Sequence, residues 1–205
     1  MHYVKHLSRD NRLKPLIKQH GVLKLKKQKN LSLYLCYSIM SQQLSTKVAR
    51  VIKQRFLDLY NGEPSPEQII NTPFEKLRGI GLSNAKVNYV QNVARFELEQ
   101  GMSYKKLSTM NNEEVITYLT QIKGVGRWTC EMLLMFAMGR EDVFAPDDLG
   151  LQQAVIKLYN LKQRKKKTLH AAIHKIAAHW SPYRTYACMY LWRWKDNLPV
   201  ATSKK

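Results

Sequence analysis

The chain has 205 residues, of which 34 are Lys or Arg and 15 are Asp or Glu, so its formal net charge is +19. This length fits one large or two small domains with a real hydrophobic core. Because 44% of the residues are hydrophobic, the basic excess predicts a folded protein with a polyanionic partner rather than a disordered tail. A membrane surface is the weaker candidate, because there is no long apolar run and no signal-like start.

Three cysteines, Cys36, Cys130 and Cys188, lie far apart in apolar or aromatic stretches. Their odd number and wide spacing predict buried free thiols of a reducing compartment. They cannot supply the four ligands of an iron-sulfur cluster. We therefore expect no metal cluster.

The first thirty residues are basic, and the run from Lys24 to Lys29 is either a solvated or a phosphate-facing connection. Leu31 to Met40 is almost continuously apolar, which suits a strand or a helix, but the spacing of Leu33, Tyr37 and Met40 favours a helix. A second helix is predicted from Thr46 to Tyr60. Between them lies Ser41-Gln-Gln-Leu-Ser45, either a helix cap, with Ser45 or Thr46 as the capping residue, or an amide pair that reaches into a nucleic-acid groove.

Two helix joints contain a Gly-x-Gly turn, at Gly79-Ile-Gly81 and at Gly124-Val-Gly126. Ser83 is well placed to cap the helix after the first joint, and Asn111 with Glu114 has the spacing of a capping box. No stretch shows sustained strand alternation or a hairpin signal. The predicted fold class is therefore all-α.

The second joint has further features of an anion site. Its glycines permit positive φ and close approach, and the next helix begins at Arg127 or Trp128, so its open N–H groups face the approaching partner. Lys123 and Arg127 flank the turn, and phosphate is the expected anion. An ordinary packing joint with a glycine C-cap is the alternative.

The motifs occur in an order that resembles the helix-hairpin-helix DNA glycosylase superfamily, and within it the 3-methyladenine DNA glycosylase II branch. The resemblance covers roughly Leu31 to Trp194. The motifs that carry it are Ser41-Gln-Gln-Leu44, Gly79-Ile-Gly81, Ile122-Lys-Gly-Val-Gly-Arg-Trp-Thr129, Ala145-Pro-Asp-Asp-Leu-Gly-Leu-Gln152 and Trp180-x-x-Tyr-Arg-x-Tyr-Ala187.

The resemblance implies a helix-hairpin-helix glycosylase fold with two helical subdomains and a DNA-binding cleft between them. We place a middle bundle at residues 30–144 and a discontinuous subdomain at residues 1–29 plus 145–205. It implies that the hairpin and the catalytic aspartate meet at the cleft. That aspartate is Asp148 by the motif, although the sequence alone leaves the reverse assignment to Asp147 open, and both could simply cap the next helix.

The resemblance also implies the remaining site residues. A flipped base would enter a pocket walled by Trp128, Trp192 and a tyrosine such as Tyr37 or Tyr186. Gln43, with Gln42 or Leu44, would fill the gap left in the duplex. The expected DNA contacts are Gln42, Gln43, Leu44, Lys123, Gly124, Val125, Gly126, Arg127 and Thr129. No cofactor is expected, apart from a monovalent cation held by carbonyls of the hairpin turn.

Strand-cutting members of the superfamily place a Schiff-base lysine where Trp128 stands, so we expect a monofunctional enzyme that releases alkylated purines and leaves an abasic site. The alternatives are a glycosylase for oxidised or deaminated bases, a non-catalytic DNA-binding module and a purely structural helical protein. The expected partner is damaged double-stranded DNA, with no membrane, and the expected state is a monomer. Its location would be cytoplasmic and nucleoid-associated in a bacterium and nuclear in a eukaryote.

Overall fold

Helices account for all the regular structure in residues 1–161 and 166–197, the part of the chain that the computed structural model describes. These ranges contain thirteen helices and no strand, which confirms the all-α class. None of these helices combines the length and apolar character needed to cross a membrane. In chain order the helices are His2–Leu7 (α1), Leu13–His20 (α2), Leu31–Ser41 (α3), Thr46–Leu59 (α4), Pro66–Asn71 (α5), Phe74–Gly79 (α6), Asn84–Gln100 (α7), Tyr104–Ser108 (α8), Asn112–Leu119 (α9), Arg127–Phe136 (α10), Leu149–Leu158 (α11), Lys166–Ala178 (α12) and Arg184–Asp196 (α13).

The helices form two compact units. One, the hairpin unit, contains residues 26–139, and the other, the carboxylate unit, contains residues 1–25 and 140–205. The sequence-based division begins four residues later, at residue 30, and ends five residues later, at residue 144. Residues 162–165 and 198–205 of the predicted discontinuous subdomain lie outside the described residues.

The core of the hairpin unit is built around α3, which packs against α4, α7 and α10. Neighbours on several sides explain why its sequence is apolar almost throughout, since a helix buried all round has no polar face. Leu35, Ile39 and Phe56 are fully buried here. Ser45, rather than Thr46, caps α4 by accepting a hydrogen bond from the Val48 amide, and the predicted capping box of α9 is present.

The core of the carboxylate unit is built around α13, which packs on α2 and α11. Trp180 and Tyr190 are fully buried. An ion pair holds the entry to α13, where Arg184 Nε donates to Asp142 Oδ1 at 2.6 Å. Burial acts to raise the pKa of Asp142, but the hydrogen bonds from Arg184 and Ser181 outweigh it, so the pKa is lowered and the carboxylate stays ionised.

Candidate functional site

The turn between α9 and α10 requires a glycine at position 124. Gly124 has φ +105°, and a Cβ there would lie 2.2 Å from Cγ of Tyr89. The backbone angle and the packed ring each exclude a side chain. The turn is closed by Val125, whose amide donates to the Ile122 carbonyl at 2.9 Å and whose side chain is buried.

Gly126 differs from Gly124, because no described residue demands a glycine there. Its φ is −98°, which any residue adopts, and a Cβ would meet no atom of the described residues within 4 Å. Gly126 is the N-cap of α10, and no side chain in the described part of the chain caps this helix. The open space in front of Gly126 therefore adjoins helix-start amides, which carry the positive end of the helix dipole.

The other Gly-x-Gly joint, between α6 and α7, is built differently. Gly81 also has positive φ, and a Cβ there would lie 2.6 Å from Cδ1 of Ile52. The start of α7, however, is capped by Ser83, whose hydroxyl accepts a hydrogen bond from the Lys86 amide at 3.3 Å. This cap, as predicted from the sequence, occupies the place that an anion would take. Of the two joints, the second is the one suited to anion binding.

The charged side chains around the second joint include an ion-pair network between α9 and α10. Arg127 pairs with Glu113 and, at 3.2 Å, with the buried Glu131, so its charge ties α9 to α10. Arg127 is therefore already paired within the hairpin unit, and its contact with DNA stays a prediction. Lys123 is exposed, and its carbonyl accepts a hydrogen bond from the Asn92 side chain at 3.1 Å.

Burial limits how two other predicted contacts can be made. The side chains of Val125 and Thr129 are buried, with 5% and 3% of their surface exposed. Buried side chains cannot reach a partner in solution. Any contact that these two residues make with DNA is therefore through the backbone.

The segment between α3 and α4 presents its tip to solvent. Gln43 is exposed in the left-handed region, at φ +57°, and Leu44 is 37% exposed. The base of the segment is fixed, because Lys86 Nζ donates to the carbonyls of Met40 at 2.9 Å and of Gln42 at 2.7 Å. Gln42 in turn donates to the Thr129 hydroxyl at 3.4 Å. The geometry suits a projecting tip at Gln43 and Leu44 on a rigid base, and sequence reasoning missed the role of Lys86 in it.

A cavity of about 470 Å³ lies between α3 and α10. We call it the Trp128 cavity. Trp128 is 40% exposed, and the Tyr34 hydroxyl donates to the Met132 carbonyl at 3.3 Å. One wall comes from α3 and the segment that follows it, and the other comes from α10. The lining residues are Tyr34, Ser38, Ser41, Gln42 and Gln43 on the first side and Trp128, Met132 and Phe136 on the second.

Sequence reasoning found Trp128 but missed Tyr34, Met132 and Phe136. A signal was present, since Tyr34, Ser38 and Gln42 repeat at four-residue spacing, as do Trp128, Met132 and Phe136. Such spacing places residues on one helix face. Two matching stripes on helices that pack together define a cavity between them.

Tyr37 and Tyr186, both predicted to wall the base pocket, lie elsewhere. Tyr37 packs edge-on against Phe56 and lines a different cavity of the hairpin unit. Tyr186 belongs to the carboxylate unit, where its ring stacks on Tyr3 at 3.8 Å and its hydroxyl donates to Glu141 at 2.9 Å. Neither ring lines the Trp128 cavity, since Tyr37 packs on Phe56 and Tyr186 packs on Tyr3.

In the carboxylate unit the key side chain is Asp148, the N-cap of α11. Its Oδ1 atom accepts hydrogen bonds from the Leu151 amide at 2.7 Å and from Trp192 Nε1 at 2.9 Å. Asp148 is half-buried, whereas Asp147 is exposed. The two donors fix the rotamer of Asp148, which makes Asp148 rather than Asp147 the candidate catalytic carboxylate.

The surroundings of Asp148 include a lysine that sequence reasoning missed. A Cβ at Gly150 would lie 3.2 Å from Asp148 Oδ1 and 3.6 Å from Nζ of Lys195. Gly150 therefore leaves room for the carboxylate and the ammonium group. Lys195 follows Trp192 by three residues on α13, which places both on the same face of that helix.

Comparisons with known proteins identify the family of the chain. Residues 36–179 match the family described as HhH-GPD superfamily base excision DNA repair protein. The chain belongs to this superfamily. The matched span includes the hairpin and Asp148 but not Trp192.

Individual relatives identify the 3-methyladenine glycosylase branch of the HhH-GPD superfamily. The chain is 37% identical over 162 residues to DNA-3-methyladenine glycosylase 1 of Schizosaccharomyces pombe, covering 78% of this chain and 70% of the relative. It is 32% identical over 171 residues to a putative DNA-3-methyladenine glycosylase of Bacillus subtilis, covering 79% of this chain but only 58% of that relative.

A solved structure of the Schizosaccharomyces pombe 3-methyladenine DNA glycosylase in complex with abasic DNA matches with a TM-score of 0.84. It is 32% identical in sequence, and the match covers 100% of both chains. The similarity therefore extends over the whole of this HhH-GPD chain rather than over the hairpin alone.

Proposed function

We propose that this protein is a monofunctional DNA glycosylase of base excision repair that hydrolyses the N-glycosidic bond of alkylated purines in double-stranded DNA. The observation that carries the proposal is the Asp148 carboxylate, fixed by the Leu151 amide and the Trp192 indole in a chain with a DNA-repair hairpin. The relatives named as 3-methyladenine glycosylases support the substrate class.

The hairpin would hold the DNA backbone. A phosphate in front of Gly126 would accept hydrogen bonds from the amides at the start of α10 and benefit from the helix dipole. The Lys and Arg excess adds affinity that falls steeply with salt and carries no sequence information. Gln43 and Leu44 would fill the gap that a flipped nucleotide leaves.

A monovalent cation at the hairpin turn is part of the proposal. The carbonyls of Ile122 and Lys123 each accept one hydrogen bond, from the Val125 amide and from Asn92. A carbonyl oxygen has two lone pairs, so both atoms keep capacity for a cation, and carbonyl oxygens are suitable ligands for one. A cation bound there would attract the phosphate.

The Trp128 cavity would receive the flipped base. Its volume suits a purine. Alkylation at purine N3 or N7 makes the base cationic, and each good contact with an electron-rich ring contributes about 0.5–2 kcal/mol. The aromatic rings of Trp128, Tyr34 and Phe136 and the thioether of Met132 provide that environment.

Asp148 would act on the bond that breaks. The electron pair of the bond between C1′ and the base nitrogen leaves with the base, which neutralises the alkylated purine and places positive charge on the sugar. A fixed carboxylate stabilises that charge more in the transition state than in the ground state. Water then adds to C1′, and its proton passes to Asp148 or to solvent.

The absence of strand cutting is the finer part of the proposal. A Schiff base needs an amine beside C1′, and strand-cutting members of the superfamily carry that lysine at the position after Gly126-Arg127, where this chain has the indole of Trp128. Lys195 lies near Asp148, but it belongs to α13 and does not occupy that position. An indole nitrogen is not nucleophilic. The abasic product should therefore keep an intact strand.

The first prediction concerns the products. Methylated duplex DNA incubated with the protein, purified from a host that lacks its own alkylation glycosylases, should release 3-methyladenine or 7-methylguanine, measured by chromatography of the freed bases. The strand should stay unbroken until hot alkali is added, and borohydride should trap no covalent complex. Specific DNA binding without release of any alkylated base would contradict the proposed activity, and release of oxidised bases instead would favour the alternative glycosylase.

The second prediction separates the two hairpin glycines. Gly124→Ala should lower the free energy of unfolding by about 2–4 kcal/mol, because it combines a strained φ with a clash against Tyr89. Gly126→Ala should lower it by less than about 1 kcal/mol yet weaken duplex binding by about tenfold or more, because its Cβ enters the phosphate position. Denaturant titration and fluorescence anisotropy measure the two effects. Unchanged DNA affinity in Gly126→Ala would contradict a phosphate site in front of Gly126.

The third prediction concerns Trp192. Trp192→Phe keeps a ring but removes the N–H that holds Asp148, so the single-turnover rate of base release should fall by about tenfold or more. DNA affinity should remain near that of the wild type. A fall in affinity with an unchanged rate would show that Trp192 acts in binding rather than in holding the carboxylate.

A further inference from the structure

A second cavity of the hairpin unit, of about 430 Å³, plays no part in the mechanism above. We call it the lysine–tyrosine cavity, since Lys27, Lys29, Lys53, Tyr34, Tyr37 and Glu63 line it. The lining contains three lysines and one glutamate, so it carries a positive excess. The Lys24–Lys29 run, left open as solvated or phosphate-facing, contributes two of the three lysines.

Two of the lysines are held by aromatic rings. Lys53 Nζ lies 4.1 Å from the centre of the Tyr37 ring, and Lys27 Nζ lies 5.2 Å from the centre of the Tyr104 ring. A cation over a ring face is attracted by the ring but remains able to bind an anion on its other side. These ammonium groups are therefore positioned before any ligand arrives.

The Tyr37 hydroxyl has an unmet hydrogen-bonding requirement. The oxygen is buried and has no partner among the residues that the structure describes. Burial and then the negative charge of Glu63 raise the pKa of Tyr37 to about 12, so the hydroxyl keeps its proton and remains a donor. A buried donor of this kind is expected to have a partner, protein or otherwise.

The lysine–tyrosine cavity adjoins the Trp128 cavity, because Tyr34 lines both. Tyr34 and Tyr37 are three residues apart on α3, so one helix supplies an aromatic wall to each cavity. A nucleotide bound in one cavity would therefore lie next to the other.

We propose that the lysine–tyrosine cavity binds the phosphate of a nucleotide, with Lys53, Lys27 and Lys29 as the cations and the Tyr37 hydroxyl as a donor. The ligand has two sources with the same chemistry, a nucleotide of the bound DNA strand or a free mononucleotide. The DNA source rests on the proposed function, whereas the free mononucleotide does not.

The test uses the full-length protein and two probes, deoxyadenosine monophosphate and a short undamaged duplex, titrated separately by calorimetry. Lys53→Gln and Tyr37→Phe should each weaken binding of at least one probe by about tenfold. Lys105→Gln is the matched control, because Lys105 is exposed in the same unit and lines neither cavity. It removes the same charge and should change neither affinity by more than about twofold.

Tyr37→Phe also separates binding from folding. It removes a hydroxyl that has no hydrogen-bond partner among the described residues, so the free protein should keep or raise its melting temperature while its ligand affinity falls. A loss confined to the duplex assigns the cavity to the bound strand, and a loss with the mononucleotide assigns it to free nucleotides. If both probes bind both variants as tightly as wild type and Lys105→Gln, the proposal is overturned. Base release from methylated DNA by the wild type tests the glycosylase proposal separately.

Discussion

The pair of hydrogen bonds that fixes the Asp148 carboxylate is the constraint on which the proposed chemistry depends. An amide of α11 and an indole of α13 converge on one oxygen of this side chain. The first donor comes from Asp148 being an N-cap, which is a local consequence of sequence, and the second comes from the packing of α13 on α11. In the proposed mechanism structure and catalysis use the same residue, since the interactions that start a helix also orient the carboxylate.

In the hairpin unit the proposed function depends on room around the backbone that a ligand can occupy. At Gly124 the packed ring of Tyr89 leaves no room for a side chain. Gly126 instead faces open space beside the amides at the start of α10. The tip at Gln43 and Leu44 is likewise exposed on a base that Lys86 fixes. Rigid supports and vacant surfaces suit a protein that must hold a large polyanion and admit one of its bases.

Local features of this fold could be predicted from the sequence. Helical spacing identified α3, capping residues identified the starts of α7 and α9, and the glycine turn identified the hairpin. Each of these depends on residues a few positions apart. The family motif also placed Asp148, but the choice over Asp147 stayed open because the deciding donor, Trp192, is 44 residues away.

The placements that the sequence did not indicate have the same cause. Tyr34 and Tyr37 lie on one helix three residues apart, and only the packing of α10 decides which ring lines which cavity. The pairing of Arg127 with Glu113, fourteen residues earlier, depends on how α9 and α10 are aligned, which the sequence alone does not show.

The most direct measurement of the central claim compares single-turnover release of 7-methylguanine by Asp148→Asn and Asp147→Asn. The rate should fall by about 100-fold or more in Asp148→Asn and stay within about twofold of wild type in Asp147→Asn. The reverse order, or equal small effects of the two substitutions, would contradict the assignment of Asp148 as the catalytic carboxylate.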